Sequence, residues 1–247
     1  SINESFKESD GIILDKINIL SYGDPKSVGV DVLKLSKIDS IIKYAIDNEM
    51  TPGAQILVAK NSKIIYEKSF GKLRYNENLK VNNNTIYDLA SLTKILVTTP
   101  IVMKLVEDGE ISLETKLKEI IPRYKDSNKS EISVKELLSG NASLQAWIPF
   151  YKLTLDENAQ PSNEYYTFKK TKINSIKVAP DLFLRSDYID TIRNIIKDSD
   201  LLSKKYKYSD LSYLIIQEFM ENHYLQSLDE IIDNLIYQKL GIKLDYN

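Results

Sequence analysis

From Asp31 onward the apolar residues Leu35, Ile38, Ile41, Ile42, Ala45 and Ile46 recur at the spacing of one helical face. The pattern predicts an amphipathic helix that Pro52-Gly53 stops. The period then changes. Two runs rich in β-branched and aromatic residues, "AQILVAK" and "KIIYEKSFG", meet at Asn61-Ser62 and predict a hairpin. The polar stretch "RYNENLKVNNNT" separates it from a second helical pattern. That helix begins after Ser91, carries Ile95, Leu96, Met103, Leu105 and Val106, and ends at Asp108-Gly109. Pro100 inside it predicts a kink or an offset start, because proline has no N–H to give the helix ladder.

Further along, "SVKELLS" opens with Ser133 and Glu136 at capping-box spacing. "SLDEIIDNLIYQKLG" repeats the device with Ser227 and Glu230 and stops at Gly241. "SDYIDTIRNIIKD" and "LSYLIIQEFMENH" predict two more helices, and residues 151–180, polar and rich in Lys, Asn and Tyr, an excursion between elements. Residues 1–30 show no sustained periodicity and carry Gly-Asp-Pro, so an extended arm or linker is expected there, followed by one domain over 31–247. A hairpin followed mostly by helices predicts an α+β protein.

Composition narrows the chemistry. In 247 residues, 43% are hydrophobic and 28% charged, the balance of a globular chain with room for a core. The net charge is −2 and no stretch has a basic excess, so nothing favours nucleic acid or an anionic membrane as partner. With no cysteine, a disulfide framework, a thiolate zinc site and a cysteine nucleophile are all excluded. The one histidine, His223, falls at the end of a helical pattern, which leaves no His-rich metal site and no Ser-His-Asp triad. A nucleophile in this chain must take Lys, Tyr or a carboxylate as its base. No apolar run is long enough to span a membrane. The chain begins Ser-Ile, with neither methionine nor a signal peptide, and is expected to be a processed or excised piece.

Ser-x-x-Lys occurs three times, as Ser40 with Lys43, Ser69 with Lys72 and Ser91 with Lys94. Ser40 falls mid-helix and Ser69 at a strand end. Only Ser91 falls at a helix start, where free N–H groups and the positive end of the dipole can stabilise an oxyanion. Lys94, one turn on, shares its face and can reach its hydroxyl proton. The other reading is that Ser91 or Thr93 caps the helix and Lys94 is solvated.

"YDLASLTK" after a hairpin, with its helix running on to "GEISLETKLKEIIP" and then "ISVKELLSGNASL", resembles the serine β-lactamase and penicillin-binding-protein superfamily, and within it the class C β-lactamase branch with its esterase and peptidase relatives. "YKYSDLSYLIIQEFME" supplies Tyr208, Ser209 and Asp210 where that family has Tyr-x-Asn at a helix start. The resemblance runs from about Leu33 to Leu240. It implies a β-lactamase/transpeptidase-like fold, helices packed on an antiparallel sheet, and a serine hydrolase that forms an acyl-enzyme on a small amide or ester. By that likeness Ser91 is the nucleophile, Lys94 its base or electrostatic partner, and Tyr208 the proton shuttle, with the Ser91 N–H forming half of an oxyanion hole. No cofactor or metal is implied. The substrate would be a β-lactam, a D-amino-acid peptide or ester, or a peptidoglycan fragment, and the place of action the periplasm or cell envelope.

Three departures follow. Asp210 stands where the family has Asn, and a carboxylate beside Lys94 favours the ammonium over the base. It would make Lys94 a permanent cation that depresses Tyr208, unless Asp210 merely caps a helix beginning at Leu211. Gly140 and Ser143 replace the His and Gly of a family turn. The strand motif Lys-Thr-Gly or His-x-Gly is absent, so the domain is expected to be C-terminally incomplete and to lack its last sheet strands. A narrower likeness, carried by "YGDPKSVGVDVLKLSKIDSIIKYAI" and "SLQAWIPFY", is to a β-lactamase-like domain that follows a family-three glycosidase. It makes residues 1–30 an interdomain linker, a covalently linked glycosidase a partner, and Trp147 a substrate-binding residue with Pro149 and Phe150 beside it; the other reading packs these rings in a loop core. The alternative function is then a non-catalytic accessory or binding domain.

Overall fold

Asn61 and Ser62 sit at φ 51° and 60°, the left-handed pair that a two-residue hairpin turn needs. In the computed structural model, which describes residues 20–242, they join β2 and β3 of a unit that ends at Leu89. That unit runs β1 (Ser21–Tyr22), α1 (Val32–Leu35), α2 (Lys37–Asp47), β2 (Gly53–Lys60) and β3 (Lys63–Gly71). β2 and β3 pair antiparallel from Gly53↔Gly71 to Lys60↔Lys63, with a bulge at Val58/Ala59. β1 adds a short parallel strand on the other side of β3. Ser21 and Tyr22, read from sequence as part of an arm, thus add a strand to a sheet, and Val28 is buried. Residues 1–19 of that arm lie outside the described residues.

The helix expected from Asp31 is two helices. Asp31 caps the first by accepting from the Leu33 N–H at 2.8 Å, and the Ser36 hydroxyl donates to the Leu33 carbonyl at 2.9 Å. Serine bonding its own backbone in this way interrupts a helix, and α2 starts afresh at Lys37. α2 lies against β3, tied by Lys68–Asp39 at 2.6 Å. Its apolar stripe is narrower than the periodicity predicts, for Ile41 is 63% exposed.

The second unit begins at Ala90. It holds a helical run from Lys94 that opens with one wide turn, Lys94–Thr98, and continues as α3 (Thr99–Glu107), then α4 (Leu117–Ile120) and α5 (Val134–Leu138). A small antiparallel sheet follows, β4 (Tyr166–Thr167), β5 (Ile176–Ala179) and β6 (Leu182–Leu184), in the order β4-β6-β5. Then come α6 (Tyr188–Asp198), α7 (Asp210–Tyr224), α8 (Leu228–Ile232) and α9 (Gln238–Leu240), the last two joined by a second wide turn, Asp233–Tyr237. The core is where α3, α5, α7 and α8 meet: Ile101, Leu105, Leu137, Leu211, Ile215 and Ile232 are at most 1% exposed. Helices and antiparallel sheets are thus as expected, but residues 151–180, read as a polar excursion, carry two strands of a sheet. Strands of two to four residues are too short to show a period.

Pro100 explains the wide turn after the candidate nucleophile. Lacking an N–H, it cannot serve the Leu96 carbonyl four residues back. The Thr99 N–H reaches the Lys94 carbonyl five residues back, and the Tyr237 hydroxyl, from the second wide turn, donates to the Leu96 carbonyl. Both predicted capping boxes form: Ser133 and Glu136 exchange bonds of 2.9 and 3.2 Å, and the Ser227 N–H donates to Glu230 at 3.1 Å. α7 is anchored at depth by Glu218, 2% exposed, whose carboxylate meets Arg123 at 2.6 Å. Fully buried Lys129 donates to Asn128, Lys197 and Ser199 and so closes the end of α6; burial holds its ammonium below the ordinary lysine value. Among the described residues no helix is long and apolar enough to cross a membrane.

Candidate active site

Of the three Ser-x-x-Lys pairs, one is a contact. Lys43 turns to Asp47, Ser69 donates to Asn83 and Lys72 donates to Asn78. Lys94 Nζ lies 3.1 Å from Ser91 Oγ. Ser91 sits on the turn into the helical run, just after Ala90, which is held at φ 45°. A left-handed alanine costs on the order of 1–2 kcal/mol, and such backbone concentrates at functional turns. Neither Ser91 nor Thr93 makes a side-chain cap to this helix.

The second half of the site comes from the start of α7. Ser209 is the cap: its hydroxyl accepts from the Leu211 N–H at 3.2 Å and donates to the Gln145 carbonyl at 2.6 Å. Asp210 is therefore the first helical residue rather than the cap, and its side chain is released for Lys94. Asp210 Oδ1 meets Lys94 Nζ at 2.6 Å and is out of water, with this ammonium as its partner. Tyr208 stands immediately before the cap, its ring centroid 5.4 Å from Lys94 Nζ, and its phenol is influenced by both Ser91 and Lys94. Sequence reasoning named these four residues, and the fold brings all four together.

Burial opposes the charge on Lys94, but the bonds to Asp210 and Tyr208 outweigh it and hold the ammonium above the ordinary lysine value. The Ser91 and Lys94 bonds hold the Tyr208 phenol below its ordinary value. An ammonium has three N–H donors and no lone pair. Here Ser91 Oγ and Asp210 Oδ1 take two of them, at 3.1 and 2.6 Å, and Tyr208 also favours the charged form. The arrangement suits Lys94 as donor and cation, and Tyr208 as acceptor.

A second strand of contacts fixes Tyr208 and was not legible in advance. The loop after α5 binds the segment before α7 through Leu202 N–H to Ser143 O, Lys207 N–H to Gly140 O and Asp210 N–H to Ala146 O, at 2.7, 2.7 and 2.8 Å. Gly140 and Ser143, the residues that depart from the family turn, have φ 71° and 58°, so the serine adopts the backbone a glycine would. A Cβ on Gly140 would stand 3.1 Å from the Lys207 carbonyl and 3.0 Å from the Tyr206 ring. Gly140→Ala is therefore expected to destabilise the fold by about 1–2 kcal/mol and to slow reaction at Ser91 by about tenfold, by moving the backbone beside Tyr208. Thermal melts and probe-labelling rates check this. Gly140→Asn eases the φ term but keeps the Cβ contact, so equal rates for parent and Asn variant would clear the contact of any role.

Trp147 is 56% exposed and, among the described residues, makes no hydrogen bond or ring contact with the four. Phe150, by contrast, packs on the core and its carbonyl accepts from Tyr188 at 2.9 Å, the loop-core reading. His223 ends α7 and meets Glu110 at 2.6 Å, away from the four. The residue missed is Tyr213, whose ring centroid lies 5.6 Å from Lys94 Nζ. Its signal was its place three residues after Asp210, on the same helix face.

A family model described as Beta-lactamase matches residues 38–245. A Salmonella enteritidis protein with the provisional name D-alanyl-D-alanine carboxypeptidase is 29% identical over 235 residues, 91% of this chain and 50% of its own length. The chain spans about half the length of the curated relatives it matches. Among solved structures, the octameric penicillin-binding protein homologue from Pyrococcus abyssi superposes with TM-score 0.63 at 21% identity, over 86% of this chain and 44% of that one. A class C β-lactamase from Rhodobacter sphaeroides does so with TM-score 0.58 at 15% identity, over 84% and 50%.

Proposed function

The chain belongs to the β-lactamase family, and from that premise we propose that it is a serine hydrolase in which Ser91 is acylated by a small amide or ester. The observation that carries the reading is the contact of Ser91 Oγ with Lys94 Nζ at 3.1 Å, with the Tyr208 ring centroid 5.4 Å from the same nitrogen. Ser91 Oγ attacks the substrate carbonyl carbon while its proton passes to the Tyr208 oxygen. Lys94 stays an ammonium throughout, stabilising both oxygens as charge develops. The start of the helical run, with the positive end of its dipole, would face the new oxyanion. Tyr208 then returns the proton to the leaving amine or alcohol, leaving an acyl ester on Ser91. In the second half it takes a proton from the water that releases the acid.

The name of the Salmonella relative supports a peptide ending in D-alanyl-D-alanine as substrate, hence a place in the cell envelope. A β-lactam is a strained amide of the same class. Trp147 is proposed as a substrate contact, since its exposed ring follows Gln145 and Ala146, whose carbonyls hold the start of α7.

The test is covalent capture. Incubation with a fluorophosphonate or penicillin-type probe, then peptide mapping by mass spectrometry, is expected to place the adduct on Ser91. An adduct on another residue would move the nucleophile. No adduct with either probe would leave the accessory-domain reading in its place.

A further inference from the structure

The Lys94 ammonium is enclosed on sides that no hydrogen-bond acceptor occupies. Ser91 and Asp210 take two of its N–H groups, and the Lys94 side chain is only 16% exposed. Two rings cover it as well: the Tyr208 centroid lies 5.4 Å from Nζ and the Tyr213 centroid 5.6 Å. Asp210 and Tyr213 are three apart on α7, so one helix face presents a carboxylate and an aromatic ring to the same cation. Tyr208 is used up as a proton carrier in the function proposed above, but nothing yet accounts for Tyr213.

We propose that Tyr213 is a positioning residue that keeps Lys94 charged and aimed at Ser91, by offering the face of its ring to the ammonium. The inference rests on the catalytic reading of Ser91 and Lys94 for its consequence, but not for its measurement. A ring face attracts a cation through its quadrupole and has nothing to attract in a neutral amine, so it favours the protonated state without accepting a proton. A further carboxylate in the same place would also hold the cation, but would repel the phenolate forming on Tyr208. The aromatic ring stabilises one charge without opposing the other. Its hydroxyl has no part in this, so phenylalanine should serve equally.

The experiment is a pH titration of the chain carrying lysine labelled with carbon-13 at Cε, followed by NMR, in the parent and four variants. Tyr213→Phe should leave the Lys94 midpoint where the parent has it. Tyr213→Leu should lower it by about half to one and a half pH units, the worth of a partly desolvated cation–π contact. A pentafluorophenylalanine installed at position 213 keeps shape and packing but reverses the charge of the ring face, and should lower the midpoint at least as far. Tyr213→Met fills the volume without a ring and should resemble leucine.

Buried Lys129 titrates in the same spectra below the ordinary lysine value and reports independently that the unit is folded. If Tyr213→Leu loses that signature, the fluorinated and methionine variants carry the comparison. Equal Lys94 midpoints in all the folded variants would overturn the inference. Midpoints that fall as expected, beside a probe adduct on a residue other than Ser91, would keep Tyr213 as the partner of Lys94 and sink only the catalytic reading.

Discussion

Tyr208→Phe is expected to slow acylation of Ser91 by about two to four decades, the usual contribution of a positioned general base. The substitution removes one oxygen, the acceptor that Ser91 and Lys94 both influence. The ring stays, half-exposed at the entrance to α7, and Ser209 still caps the helix through Leu211 and Gln145. Stability should therefore be close to that of the parent, which a thermal melt checks. The pH dependence gives the sign. Tyr208 accepts the Ser91 proton only when ionised, and its phenol is held below the ordinary value of 10.0 by Ser91 and then Lys94. The parent rate should rise with pH through a midpoint below that value. In Tyr208→Phe this limb should vanish, leaving a slow rate without a tyrosine limb. Persistence of the limb in the Phe variant would assign it, and the base, to another group.

How much of this was legible beforehand depends on the range of the interaction. Asn61-Ser62 makes the hairpin turn, and the capping boxes at Ser133 and Ser227 form, because each is a device complete within four residues. Ser36 shows the limit: its hydroxyl bonds the Leu33 carbonyl and splits one predicted helix in two, although the apolar spacing runs straight through it. Pro100 announced an irregularity but not its form. The wide turn depends on Tyr237, which lies 141 residues from the Leu96 carbonyl it serves. The sheet within residues 151–184 was missed because its strands are two to four residues long and held by pairing rather than by pattern.

The site divides the same way. Ser91 and Lys94 are one turn apart, so local geometry predicts their contact. Tyr208 and Asp210 were named by motif order alone; no spacing argument links position 94 to position 210. The two readings of Asp210 differed by whether residue 209 or 210 caps α7, a single position that sequence cannot decide when both Ser and Asp are good caps. Ser209 takes the cap, and Asp210 goes to Lys94. The Gly140–Lys207 and Ser143–Leu202 bonds are backbone to backbone and leave no side-chain signature, save the glycine itself.

Lys94→Ala should cost about two to four decades in the acylation of Ser91, and Asp210→Asn should restore part of that loss. The ammonium lowers Tyr208, while the Asp210 charge raises it. With Lys94 gone the Asp210 charge is no longer countered by the ammonium, so the tyrosine limb of the pH–rate profile should move above its parent position. Asp210→Asn then removes the opposing charge, and the double variant should react faster than Lys94→Ala, with its limb displaced back to lower pH. A neutral lysine acting as base predicts otherwise: once the base is deleted, the charge that tuned it has nothing to act on, and the double variant should match the single. Stability supplies a separate check on the pair. Lys94 is raised on folding above its ordinary 10.5, so its contribution is fully present below that pH and is lost as pH rises through the higher folded value. Denaturation followed through this alkaline range should show the parent losing stability that Lys94→Ala never had, and the two curves should converge. If the double variant is no faster than Lys94→Ala, Asp210 does not act on Tyr208, and the division of labour between a fixed cation and a tyrosine base is wrong.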